Sequence, residues 1–95
     1  MNIRFYDDPV TRLPHIYDHE VSESEVEEIF YNPHDDYSGS ENSRIVVGQT
    51  NAGRYLKVVY VRDPMPNSIF VITALEPSDK QIKAFRRGKR RRRKI

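Results

Sequence analysis

The chain of 95 residues contains no cysteine, which excludes a disulfide framework and any thiolate zinc site and fits a reducing compartment. No apolar run comes near the ~18 residues that a membrane span requires. The first residues hold no apolar segment of the signal-peptide kind. Internal repeats are missing too, and the length suits a single domain. These absences lead to the expectation of a cytoplasmic protein that is not associated with a membrane.

Basic residues are scarce at the start of the chain and crowded at its end. Residues 1–42 carry only Arg4 and Arg12 against eleven acids, a net of −9. Residues 43–85 hold six bases against three acids, and 86–94 (RRGKRRRRK) hold eight of the sixteen cations. The overall +2 is thus the near-cancellation of an acidic body and a polycationic end. Such an end seeks polyanions, nucleic acid above all.

Local signals order the rest. Asn2–Tyr6 alternates and reads as an edge strand ended by Asp7-Asp8-Pro9, and Leu13-Pro14 introduces a short helical turn through His15 and Tyr17. Ser22-x-x-Glu25 is a capping box with Val21 and Val26 at staple spacing. Val26, Ile29 and Phe30 then line one face, so a helix is expected over 22–31, ended by Asn32-Pro33. Residues 32–43 read as a polar loop. Arg44–Gly48, Arg54–Arg62 and Ser68–Ala74 read as strands, the first two joined by the hairpin loop Gln49–Gly53. Ser68–Ala74 is apolar on both faces and should be central or covered on both sides. Ser78-x-x-Gln81 opens a last helix with Ile82 and Phe85 on its apolar face, ended near Gly88. The expected class is α+β: an N-terminal helical region, an antiparallel sheet of three to four strands, a C-terminal helix and a disordered basic tail. Residues 1–87 form the domain and 88–95 the tail.

Three stretches resemble BrnT-type toxins, within the wider RelE-like ribonuclease group. Pro14-His15-Ile16-Tyr17-Asp18-His19-Glu20-Val21-Ser22 with Glu25-Val26-Glu27-Glu28 is similar to the opening "HI-x-x-H-G-V-S…EVEE". Val47–Val59 is similar to the hairpin "GxTxxGRxLxVV", and Ile72-Thr73-Ala74 to the start of "ITAR". The resemblance spans roughly residues 5–87. It implies a RelE-like fold and a small toxin of a type II toxin–antitoxin system that cleaves RNA without a metal or other cofactor. It also implies a DNA-binding antitoxin partner, through which oligomers would form. The chain departs from the pattern at Glu20 (usually Gly), Leu75 (Arg), Gln81 (Glu) and Phe85 (Tyr). The last three changes remove groups able to bind phosphate or move protons.

Metal-free cleavage of RNA needs a base for the 2′-hydroxyl, cations for the phosphorane and an acid for the leaving oxygen. His19, four residues after His15, suits proton transfer near neutral pH. Arg54 and Lys57 would stabilise phosphate, although alternation puts them on opposite faces of their strand. The HxxxH spacing has no obvious third metal ligand, and His34, Asp35 and Asp36 read as a solvated loop. Arg44, Lys83, Arg86, Arg87, Lys89, Arg90, Arg91, Arg92, Arg93 and Lys94 are the candidate nucleic-acid contacts. The acidic helix over Glu23–Glu28 reads as a solvated surface, or one that meets a basic antitoxin segment or the chain's own tail. Two readings follow: an endoribonuclease toxin, or a catalytically impaired relative that binds nucleic acid or a partner.

Overall fold

Leu56, Val58 and Tyr60 are buried along Tyr55–Arg62, and the residues between them are more open. That strand therefore presents one apolar face which a second layer must cover. The structure is a computed structural model that describes residues 1–93, with side chains through residue 87. It contains β1 (Asn2–Phe5), a 3-10 turn (His15–His19), α1 (Glu23–Tyr31), β2 (Pro33–Ser38), β3 (Arg44–Gln49), β4 (Tyr55–Arg62), β5 (Ser68–Leu75) and α2 (Asp79–Arg93). The strands form one sheet in the order β1-β5-β4-β3-β2, antiparallel except for the parallel pair β1–β5.

One face of this sheet carries the core. Val46, Val58 and Ala74 stand in register across β3, β4 and β5, and Tyr60 is paired with Val71. Ile16 from the 3-10 turn, Val21, and Val26 and Ile29 from α1 cover them. Val71 and Ala74 are three residues apart yet both buried, which strict alternation forbids. The register shift opposite Val59 and Tyr60 leaves Ile72 as an extra residue in β5, and this bulge returns Ala74 to the core side.

Both capping boxes form. The Ser22 hydroxyl accepts from the Glu25 amide at 3.2 Å, and the Glu25 carboxylate accepts from the Ser22 amide at 3.0 Å. Ser78 and Gln81 make the same exchange at 3.2 and 3.0 Å. Val21 and Val26 are both buried around the first cap, the packing a staple requires. β5 lies between β1 and β4, as its two apolar faces anticipate.

Three expectations are corrected. The sheet has five strands and is mixed, where three to four antiparallel strands were expected. The added strand is β2, in the stretch 32–43 expected to be a polar loop, so His34, Asp35 and Asp36 lie in a strand; its sequence PHDDYS has no apolar alternation. It is an edge strand held by backbone pairing to β3, so polarity was no bar. The last helix does not end at Gly88 but runs to Arg93, which makes residues 88–93 helical backbone, not a disordered tail. Glycine inside a helix costs only about 1 kcal/mol, and the arginines around it are good helix formers. Residues 94 and 95 lie outside the described residues.

Ser22→Ala should lower stability by about 1 kcal/mol, because an amide of the first turn of α1 loses its acceptor. Urea unfolding followed by circular dichroism measures it, and an unchanged midpoint would remove the cap's assigned role.

Candidate nucleic-acid interface

The pleat of β4 directs Tyr55 and Lys57 to the face opposite α1, in register with Gln49 and with Val47 and Leu75. α2 follows β5 and brings Arg86 over the Tyr55 ring, with the guanidinium carbon 5.7 Å from the ring centroid. The ring of His34 meets Tyr55 edge-on at 6.2 Å. Lys83, Arg86 and Arg87, at helical spacings of three and four, share one exposed side of α2. None of them pairs with a carboxylate among the described residues. Lys57, Tyr55 and the first cations of α2 thus belong to one surface, with an aromatic ring among free positive charges. Lys89, Arg90, Arg91, Arg92 and Arg93 continue the backbone of α2, and Lys94 lies outside the described residues.

Arg54 does not join that surface. The loop Thr50–Arg54 closes through the Arg54 amide on the Thr50 hydroxyl at 3.0 Å and the Thr50 amide on the Arg54 carbonyl at 2.8 Å. Gly53, at φ +96°, supplies the left-handed residue that such a closure needs. The Arg54 guanidinium is consumed on all sides. It donates from Nε to Glu76 at 2.8 Å, from Nη1 to Glu25 at 3.2 Å and to the Glu20 carbonyl at 2.8 Å, and from Nη2 to the His19 carbonyl at 3.4 Å. Two carboxylates already neutralise it, and few of its five donors remain for a phosphate.

The three residues expected to act together in catalysis are not brought together. His19 and Arg54 meet at one corner, through the His19 carbonyl, while Lys57 projects from the opposite face. The His19 ring is edge-on to His15 at 5.4 Å. It is His15 that has acidic company, with its Nδ1 3.4 Å from Asp18 and 3.9 Å from Asp8. The ligand atoms of Asp8, His15 and Asp18 lie within 4.8 Å of one another, a group to which His19 does not belong. The partners that the HxxxH spacing lacked therefore surround its first histidine alone. Amides of Val10 and Thr11 hold the Asp8 carboxyl below its ordinary range.

Arg44 is also engaged. It donates from Nε to Asp36 at 2.9 Å, and Tyr60 donates its hydroxyl to the same carboxylate at 2.7 Å. Burial, reinforced by Asp36, pushes the Tyr60 hydroxyl up. Arg44 sits in register with Tyr60, on the α1 side of the sheet.

Glu25 and Glu76, which decide the fate of Arg54, were not among the expected site residues. Glu25 was legible as a capping residue and as part of the acidic stretch Glu23–Glu28, not as a partner of Arg54, and nothing local marks Glu76. Burial pushes the Glu25 carboxyl up, but the Ser22 amide and the Arg54 guanidinium together outweigh it and leave it low. Comparisons with protein-family models, with curated proteins and with solved structures find no match.

Arg54→Ala should destabilise the chain by about 2 kcal/mol, by removing the cation that Glu25 and Glu76 share and a donor from the Glu20 and His19 carbonyls. A carboxyl held low in the folded state stabilises it above its unfolded value near 4.5, and this contribution fades as pH falls through the folded pKa. The unmodified chain should therefore lose stability on acidification below that range, and Arg54→Ala should lose less. Urea midpoints of both proteins across pH 3–7 give the comparison (roughly the titration range of carboxyl groups).

Proposed function

We propose that this chain is a toxin-like, RelE-like domain that binds single-stranded RNA through the sheet face opposite α1 and through α2, with cleavage impaired. The observation that carries the reading is the gathering of Lys57, Tyr55 and Arg86 on one surface, beside the exposed Lys83 and Arg87 of α2. Single-stranded RNA is recognised by aromatic or guanidinium planes that stack bases and by cations that follow the backbone. Leu75, paired with Lys57 on this surface, stands where the resemblance implies an arginine. The engagement of Arg54 with Glu25 and Glu76 at the other face weighs in the same direction, since it withholds that cation from a developing phosphorane. A cognate DNA-binding antitoxin in the cytoplasm completes the proposal.

The endoribonuclease reading keeps one observation in its favour. His15, with Asp18 at its Nδ1 and His19 against its ring, is arranged as an oriented imidazole for proton transfer.

Lys57→Ala and Arg86→Ala should each weaken binding to a single-stranded RNA and reduce the slope of log K against log salt by about 0.7. Tyr55→Ala should weaken it by about 1–3 kcal/mol if a base stacks at this position. Removal of residues 86–95 should flatten the slope by about 3 if half of the cations engage. Fluorescence anisotropy at two salt concentrations decides it, and unchanged affinity in all four proteins would overturn the proposal. Incubation of the unmodified chain with RNA and a chelator separates the readings. Cleavage that leaves a cyclic or 3′-phosphate and is lost in His19→Ala or His15→Ala would establish the enzyme, and intact RNA the binding module.

A further inference from the structure

The exposed carboxylates of α1 and the first cations of α2 lie on opposite faces of the sheet. α1 exposes Glu23, Glu27 and Tyr31 at intervals of four, one stripe along the helix. Tyr17 lies against this stripe and donates its hydroxyl to Glu23 at 3.3 Å. Glu27 has no cationic partner among the described residues. Beside the stripe are two adjoining cavities of about 280 and 380 Å³ that share Met1 and Phe30. Tyr31, Met65 and Met1 rim them at 88%, 72% and 69% exposure, which makes an apolar and aromatic strip whose lining holds Glu27 and Asp63 and, at the larger cavity, Arg62.

The complementary chemistry is in the same chain. Arginine stems bury well on apolar surface while their heads reach carboxylates, and guanidinium groups stack on aromatic rings. The chain already uses that contact twice, at Arg4 on Phe70 and Arg86 on Tyr55. α2 and the residues after it carry eight cations over 86–94. Among the described residues of one molecule the two surfaces do not meet: α1 covers one face of the sheet, and Arg86 lies on the other, over Tyr55.

We infer that two copies of this chain associate by exchange, the basic side of α2 from each lying along the Glu23–Glu27–Tyr31 stripe and its groove on the other. The contact is reciprocal, so it closes as a two-fold dimer and does not grow into a filament. Its attraction is between exposed charges and is screened by salt. RNA and the second copy compete for the same cations, so RNA binding releases the dimer.

Sedimentation velocity of the full chain at roughly 50 mM and 0.5 M salt reads this directly. A dimer is expected at low salt and a monomer at high salt. Glu23→Lys combined with Glu27→Lys should weaken the dimer tenfold or more, and removal of residues 86–95 should do the same. Because both glutamates are exposed, circular dichroism should show the reversed-charge protein folded, and its RNA affinity should rise. A monomer at low salt, or a dimer indifferent to salt, to the charge reversal and to the truncation, would overturn the inference. The RNA titrations of Lys57→Ala are a separate measurement, so either proposal can fail alone.

Discussion

The Arg54 guanidinium is the point at which four parts of the chain are tied. It leaves the hairpin between β3 and β4, and it reaches Glu25 in α1, Glu76 after β5, and the carbonyls of Glu20 and His19 at the end of the 3-10 turn. Two of these elements supply the layer over the core face: Ile16 from the turn, Val26 and Ile29 from α1. Without a fixed cation at this corner, two carboxylates and two carbonyl oxygens would converge with nothing between them. The side chain is only about a quarter exposed, which keeps its ion pairs less screened than ordinary surface pairs. An arginine that looks catalytic when read along the strand is an organiser of tertiary structure when its neighbours are in place.

Features encoded within four or five residues were the legible ones. Ser22 with Glu25 and Ser78 with Gln81 specify helix starts because donor and acceptor lie one turn apart. The alternation of Leu56, Val58 and Tyr60 reveals which side of β4 is buried, and hence that Arg54 and Lys57 part company. What escaped the sequence depends on distant partners. β2 has no pattern of its own because its edge position asks only for backbone pairing, and its Asp36 is useful chiefly to Arg44 and Tyr60, eight and twenty-four residues away. The bulge at Ile72 looks like plain continuity in a strand apolar on both sides, and only the register against β4 exposes it. The candidate interface was half legible: its cations were evident from composition, but the meeting of Arg86 with Tyr55 depends on where α2 returns.

Charge in this chain is ordered by face as well as by sequence. Acidic side chains crowd the side of α1 and the turn before it, while Lys57 and the first cations of α2 occupy the other side. A sheet only one strand-layer thick separates the two. The low net charge conceals a strong dipolar arrangement, and orientation in an external field or toward a polyanion follows from that arrangement more than from the total.

The parallel pair β1–β5 has a consequence for the order in which the molecule is made. Asn2 is in register with Ser68, so the first of the five strands waits for the last to acquire a neighbour. The hairpin β3–β4 needs only a five-residue closure, and β5 adds to it across another short loop. Loop-closure entropy thus favours a nucleus in the middle of the chain, with β1 docking late as the final edge. Until then one side of β5 is an open template for backbone pairing. The chain is most prone to self-adhesion between synthesis of its fifth strand and arrival of its first.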